Sequence, residues 1–356
     1  MLISILLWPI AVSLLLLSFA AGRWYRLWRF EIVGAGYLWF AALTAILLLG
    51  LLLVRSRPPR RKLMIVLGLA LGLYASTIGS WYVPRLQDAG TGGMPLTLMT
   101  YNVNYKLWDT AAVTERVRSY PVDILGLVEP LQEQAAELRE NVQDLYPHYY
   151  RATEGGLSLF SRYPIAEATT DSLDTPSYSL FAIVEVEGKP VRVVVTHLRA
   201  PGSRTYFAER NATMAALATY GAQQQMTTVI MGDFNATSWS TYFQSFLRTS
   251  RLRSVNLGHG LNPTWFYDEV GRSLNRTERI LLFLKIPIDH IVVSQNISVD
   301  QVITPSSGVS DHRPLIAKLR LRLLTVTGSE GSSGFTKASK PTTRTLGSIW
   351  QFRKYY

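Results

Sequence analysis

Two textures of apolar spacing divide this chain. Leu2–Gly22, Ile32–Val54 and Leu63–Val83 are unbroken apolar runs of 21, 23 and 21 residues without a charged side chain. Each is long enough to cross roughly 30 Å of hydrocarbon as a helix. Ser18-Phe19-Ala20-Ala21 offers the small residues of a signal-peptide end, which is the alternative for the first run. Two equally long segments follow at once, and no basic side chain precedes the first. Three spanning helices are therefore expected over residues 1–86, with Trp24, Tyr25, Trp28, Trp81 and Tyr82 as interfacial aromatics at their ends.

From Leu96 the pattern shortens and alternates. Thr97–Asn102, Ile124–Val128, Leu157–Ser161, Ser179–Val186, Val191–Thr196, Thr227–Met231 and Ile288–Val293 are rich in branched residues and predict strands. Thr110–Arg118, Gln132–Asp144, Tyr206–Tyr220 and Ser240–Thr249 carry helical spacing, with Asp109 or Thr110 placed to cap the first. One α/β domain is expected over 96–322. A short glycine-bearing linker, Gln87–Pro95, would join it to the anchor, and a disordered Ser/Thr/Gly/Lys-rich tail would cover 325–356.

Composition changes this picture at two points. There is no cysteine, so thiolate catalysis and cysteine-bound zinc are excluded. The net charge of +11 suggests a polyanion partner until it is located. Residues 1–93 hold nine Lys/Arg against two acids, and residues 323–356 five against one. From totals of 36 and 25, residues 94–322 keep 22 basic and 22 acidic side chains, a net charge of zero. The excess thus flanks the apolar segments and fills the tail, which weakens the case for a groove that tracks nucleic acid. Arg55, Arg57, Arg60, Arg61 and Lys62 outnumber Arg23, Arg26 and Arg29, so the second loop is expected in the cytoplasm and the α/β domain outside it.

The candidate chemistry sits where predicted strands end. In order come Tyr101-Asn102-Val103-Asn104, Leu127-Val128-Glu129, Gly156–Ile165, Thr196-His197, Gly232-Asp233-Phe234-Asn235, Ile288-Asp289-His290 and Ser310-Asp311-His312-Arg313-Pro314. Carboxylates, amides and histidines delivered to one rim of a sheet suit a divalent metal and a phosphate. Asp233 and Asn235, two apart, point to the same side of an extended segment, whereas His290 points away from Asp289. A lone Asp-x-Asn is also a common turn, and a lone histidine at a strand end is commonly structural.

The ordered series resembles the endonuclease/exonuclease/phosphatase superfamily, which includes DNase I-like nucleases and neutral sphingomyelinases. The resemblance covers Leu96–Leu321. It implies a four-layer α/β sandwich with the site at the rim of two packed sheets. It further implies a metal-dependent phosphoesterase with Glu129 and Asp311 as metal ligands and Asp233 positioning the attacking water. Asn235 would contact the phosphate, Asn102 would bond the phosphate or orient the metal ligand, and His312 would be the catalytic histidine with Asp289 orienting it. His197 would donate to a phosphate oxygen or the leaving group. Mg²⁺ or Mn²⁺, as one ion, is the expected cofactor, because Asn104 stands where some relatives carry a further acid. His148, His259 and His290 are left outside the site, and Pro263-Thr264-Trp265 matches a loop on the substrate side.

Fold does not name the substrate. The anchor, the domain of zero net charge and the apolar Ile280–Leu284, either a buried strand or a loop dipping into a bilayer, favour a membrane lipid phosphate or pyrophosphate. With its three-helix anchor the chain looks similar to bacterial membrane-bound members associated with lipid-pyrophosphate hydrolysis. A membrane-tethered nuclease and a non-catalytic binding protein are the alternatives.

Overall fold

Strands buried on both faces must be apolar on both faces, and the runs after Met94 are. In the computed structural model, residues 2–23, 28–53, 58–85, 92–266, 285–306 and 308–322 are described. On β1 (Met94–Asn102), Leu96 and Leu98 face the core between two sheets, while Met99 and Tyr101 face outward under helices. β8 (Thr228–Asp233) does the same, with Val229 and Met231 inward and Ile230 outward.

The first sheet also contains β2 (Ile124–Val128), β3 (His148–Arg151), β4 (Leu157–Ser161), β13 (Ile297–Ile303) and β14 (Leu315–Leu321), in the order β13-β14-β1-β2-β4-β3. The second adds β5 (Ile165–Asp171), β6 (Ser179–Val186), β7 (Lys189–His197), β9 (Arg253–Ser254) and β12 (Asp289–Val293), in the order β5-β6-β7-β8-β12-β9. β10 (Trp265–Phe266) and β11 (Lys285–Ile286) form a separate pair. α5 (Thr110–Ser119) and α6 (Gln132–Val142) cover the first sheet, and α7 (Arg204–Gln223) and α8 (Thr241–Ser250) the second. The Asp109 carboxylate caps α5, accepting from the Ala112 amide at 2.9 Å. The two-sheet α/β sandwich expected from the sequence is present.

The centre of each sheet is a parallel pair, β1 with β2 and β7 with β8. Their carboxyl ends therefore point to one rim, delivering Asn102, Glu129, His197 and Asp233. β12 runs antiparallel to β8 with Asp289 opposite Asp233, and β14 antiparallel to β1, so the start of each lies at that same rim.

The N-terminal segments depart from the expectation of three uninterrupted spans. α1 (Leu2–Arg23) and α4 (Pro58–Gly79) form, but the second run breaks into α2 (Trp28–Ala35) and α3 (Tyr37–Leu53). The pair is bent by 57° around Gly36, where glycine carries no helix-stabilising side chain. Among the described residues one helix, Arg60–Gly79, is long and apolar enough to cross a membrane; the bent pair meets that test only jointly. The qualifying part of α1, Leu7–Phe19, is shorter.

These helices also pack directly on the sandwich. Tyr37, Ala70, Tyr74 and Trp81 join Trp239, Phe243 and Phe246 of the second sheet's outer layer in one apolar cluster. Trp81, expected in an interfacial belt, is buried, and its carbonyl accepts from the Gly258 and Gly260 amides. The attachment is thus a packed interface in addition to the chain connection. Ile280–Leu284, residues 86–91 of the linker region and the tail after Arg322 lie outside the described residues.

Candidate active site

Three site residues hold backbone conformations that side chains other than glycine rarely adopt: Asn104 (φ 47), Glu129 (φ 66) and Asn235 (φ 46). Such strain persists only where the surroundings enforce it, and it concentrates at functional positions. Gly232 (φ 143) explains one enforcement: a Cβ there would sit 1.9 Å from the Thr196 carbonyl oxygen. Only glycine lets β8 approach β7 closely enough to set Asp233 beside His197.

Asn102 joins the two halves of the rim. Its Nδ2 donates to Glu129 Oε1 at 3.0 Å and to Asp233 Oδ2 at 3.1 Å. His197 Nε2 stands 3.4 Å from Glu129 Oε1 and 3.8 Å from Asp233 Oδ2. Asp233 is buried and closes a turn by accepting from the Asn235 amide at 2.8 Å, while Asn235 Nδ2 donates to the Leu198 carbonyl. The turn that a lone Asp-x-Asn suggests is therefore present, and it serves to aim the carboxylate.

His312 and Asp289 form a buried pair, Nδ1 to Oδ2 at 2.8 Å. His312 Nε2 faces Asp233 Oδ2 at 3.8 Å. Burial alone would lower the His312 pKa, but the Asp289 charge and hydrogen bond, helped by Asp233 and Asp311, outweigh it and raise it. Burial first and the Asp289 charge second hold Asp233 above the usual carboxylate range, against His312 and His197. The site can thus keep a protonated imidazole next to a carboxylate able to accept a proton.

Several supports were not read from the sequence. Asn104 Nδ2 donates to Asp311 Oδ1 at 2.8 Å and Trp265 Nε1 to Asp311 Oδ2 at 3.2 Å. Thr264 Oγ1 accepts from the Ile288 and Asp289 amides, fixing the start of β12. Ser310 Oγ donates to the Asn102 carbonyl and accepts from the His312 amide. Asn104 and Thr264 were visible as motif positions, but no spacing signal pointed to their partners. His290 lies where strand alternation put it: buried, bonded through Nε2 to the Ala236 carbonyl, and stacked on Phe243.

The donor set fits a hard divalent cation. Ligand atoms of Asp233, Asp289 and His312 lie within 4.8 Å of one another and could hold a metal ion. Asp289 Oδ1 is buried with no hydrogen-bond donor among the described residues. Glu129 and Asp311 offer further carboxylate oxygens, tied to each other through Asn102 and Asn104. Oxygen-rich sets of this kind suit Mg²⁺ or Mn²⁺ better than softer ions.

Comparison with known proteins identifies the fold and the family. An endonuclease/exonuclease/phosphatase protein from Beutenbergia cavernae superposes with a TM-score of 0.52 at 21% identity, over 64% of this chain and 72% of its own. A family protein from Bacteroides thetaiotaomicron gives 0.52 at 16%, over 65% of this chain and all of its own. One from Bacteroides vulgatus gives 0.51 at 20%, over 64% and 100%. These likenesses establish the shared fold. No curated protein matches this sequence. The model of the Endonuclease/Exonuclease/phosphatase family matches residues 99–312, more than half of the chain and every site residue above, and the chain belongs to that family of phosphoesterases.

Proposed function

We propose that this chain is a membrane-anchored, Mg²⁺- or Mn²⁺-dependent phosphoesterase that hydrolyses a membrane lipid phosphate or pyrophosphate. The observation that carries the chemistry is the buried His312–Asp289 pair facing Asp233 across 3.8 Å, beside Asn102, Glu129 and His197. Glu129 and Asp311 are assigned as ligands of a single ion, since Asn102 and Asn104 tie the two carboxylates into one network while Asp289 Oδ2 and His312 Nδ1 are spent on each other. When bound, that ion would neutralise the non-bridging phosphate oxygens. Asp233 positions the attacking water and accepts its proton. Asn102, which gives its two Nδ2 hydrogens to Glu129 and Asp233, orients those carboxylates, Asn235 contacts the phosphate, and His312 and His197 donate hydrogen bonds to the phosphate and the leaving oxygen.

The lipid assignment rests on surface chemistry. Among the described residues, only Leu131, Tyr178 and Tyr206 of the exposed large hydrophobics follow Met94; the others, from Ile10 to Val83, cover the N-terminal helices. An apolar surface of that extent on docked helices fits a bilayer. α4, with 22 residues, is about 33 Å long; it carries the basic Arg60–Lys62 in its first turns and leads at its other end to the sandwich contact at Trp81. With α1, α3 and α4 seated across a membrane, the basic loop is cytoplasmic and the catalytic domain extracytoplasmic. Hydrolysis assays decide the reading: the full chain in vesicles should release phosphate from an isoprenoid pyrophosphate or phospholipid, and EDTA should abolish this. Efficient cleavage of DNA with lipid phosphates untouched would replace this reading with the tethered nuclease.

A further inference from the structure

The N-terminal helices contribute to the catalytic rim itself. We infer that Arg210 is a positioning residue for the Asp233–Asn235 turn and that Glu31, from α2, completes it, so that hydrolysis depends on how α2 is seated. This rests on the phosphoesterase reading of the site. The Arg210 side chain is fully buried, and its Nη1 donates to the Asn235 carbonyl at 2.8 Å. Nη2 donates to Glu31 Oε1 at 3.1 Å, and Nε and Nη2 to Asn211 Oδ1 at 3.0 and 2.8 Å. Asn235 is the residue held at φ 46 whose amide fixes the Asp233 carboxylate. Arg210 therefore clamps the far side of the same peptide unit's residue that aims the catalytic acid.

A buried guanidinium needs a counter-charge, because one left unpaired loses its hydration with nothing to replace it. Burial lowers the Arg210 pKa and the Glu31 charge opposes that shift. The neighbouring acid on α7, Glu209, lies against Arg199 instead. The counter-charge thus comes from a helix 179 residues away in sequence. α2 holds the other end of the turn as well: Trp239 Nε1 donates to the Gly34 carbonyl at 2.7 Å. One eight-residue helix thus bears on both ends of residues 235–239, directly at Trp239 and through Arg210 at Asn235, beside the catalytic carboxylate. The bend at Gly36 is what lays α2 against this turn while α3 continues in another direction.

The test compares full-length wild type, Glu31→Gln, Glu31→Asp, Arg210→Met and Tyr74→Phe in detergent micelles. Tyr74→Phe removes a hydrogen bond to the Leu14 carbonyl within the helices and leaves the Asn235 turn untouched. Amide hydrogen exchange over residues 233–239 and turnover of bis(p-nitrophenyl) phosphate with Mg²⁺ are measured side by side. Glu31→Gln and Arg210→Met should speed exchange in that segment by about tenfold or more. They should lower kcat by about ten- to a hundredfold, the scale of a slight misplacement of a catalytic group, with KM moved less than about twofold. Glu31→Asp should recover part of both, and Tyr74→Phe should change neither. Wild-type exchange over 233–239 in Glu31→Gln would overturn the inference whatever the rates, as would equal losses in Tyr74→Phe. If the wild type hydrolyses no phosphoester while exchange still rises in Glu31→Gln, the phosphoesterase reading fails and the positioning role stands.

Discussion

The two outer faces of the sandwich are closed by different means. On the first sheet α5 and α6 suffice: Val113, Val117, Leu138 and Val142 cover Met99, Tyr101 and Phe160. Their outward sides are polar, with Arg118 paired to Asp144 at 2.6 Å in solvent. On the second sheet α7 is buried more widely, and its Arg210 and Asn211 are covered as well as its Phe207, Met214 and Leu217. That face is finished by Tyr37, Tyr74 and Trp81 from the N-terminal helices. The self-contained sheet supplies Asn102 and Glu129; the helix-dependent sheet supplies His197, Asp233 and Asp289. The acid–base site is therefore shared: Asp233 and Asp289 stand on the sheet whose outer layer the N-terminal helices complete, and His312 enters from the start of β14 on the other.

The largest expected effects separate the acid–base residues from the assigned metal ligand. Asp233→Asn and His312→Ala should each lower kcat by at least about a hundredfold, the scale of losing an acid–base group, and added metal should not restore it. Glu129→Gln should also lose activity, yet regain part of it as Mg²⁺ or Mn²⁺ is raised. Metal titrations of the three variants check this, and equal rescue of Asp233→Asn would move the ion toward Asp233, Asp289 and His312.

Next in size is packing on the first face. Phe160 lies against Tyr146 and Tyr149, so Phe160→Ala should cost about 3–5 kcal/mol of stability. Because that face is closed without the N-terminal helices, the loss should be the same in micelles and in vesicles, by denaturant midpoint. A loss that depends on the bilayer would break the contrast between the faces.

The smallest effect is a pH dependence on the second face. Burial holds His290 neutral, its pKa lowered from 6.5 to about 4. The unfolded chain takes up that proton as pH falls below 6.5, and the folded protein resists it until about 4. Stability is therefore lost on acidification across that window, by up to about 3 kcal/mol. His290→Gln keeps a donor for the Ala236 carbonyl and cannot titrate there. Its melting temperature should fall less than the wild type's between pH 6.5 and 4, and parallel curves would remove His290 as the cause.

Much of the sandwich was legible because its central strands are continuous apolar runs. β2, β4 and β6 have the limits their composition predicts, and α5 begins at its Asp109 cap. The strands that escaped notice, β3, β5, β9 and β13, lie at sheet edges, where charged and half-exposed residues interrupt the pattern. β14 was hidden for a related reason, since Lys318 and Arg320 alternate with its apolar residues. Of the site, strand ends named Glu129, His197, Asp233 and Asp289. Pairings such as Asn104 with Asp311 span 207 residues and have no local spacing to betray them.

By itself, then, the sequence determined the central strands and the helices that cover them, which acids and histidines reach strand ends, and where the charge lies, because each follows from neighbours along the chain. Only the tertiary structure decided that the second apolar run bends at Gly36, that Trp81 is buried against the sandwich, and that Glu31 neutralises Arg210 beneath Asn235. Those outcomes depend on which surfaces meet and which buried charge requires a partner, and that is settled by the packing of segments far apart in sequence.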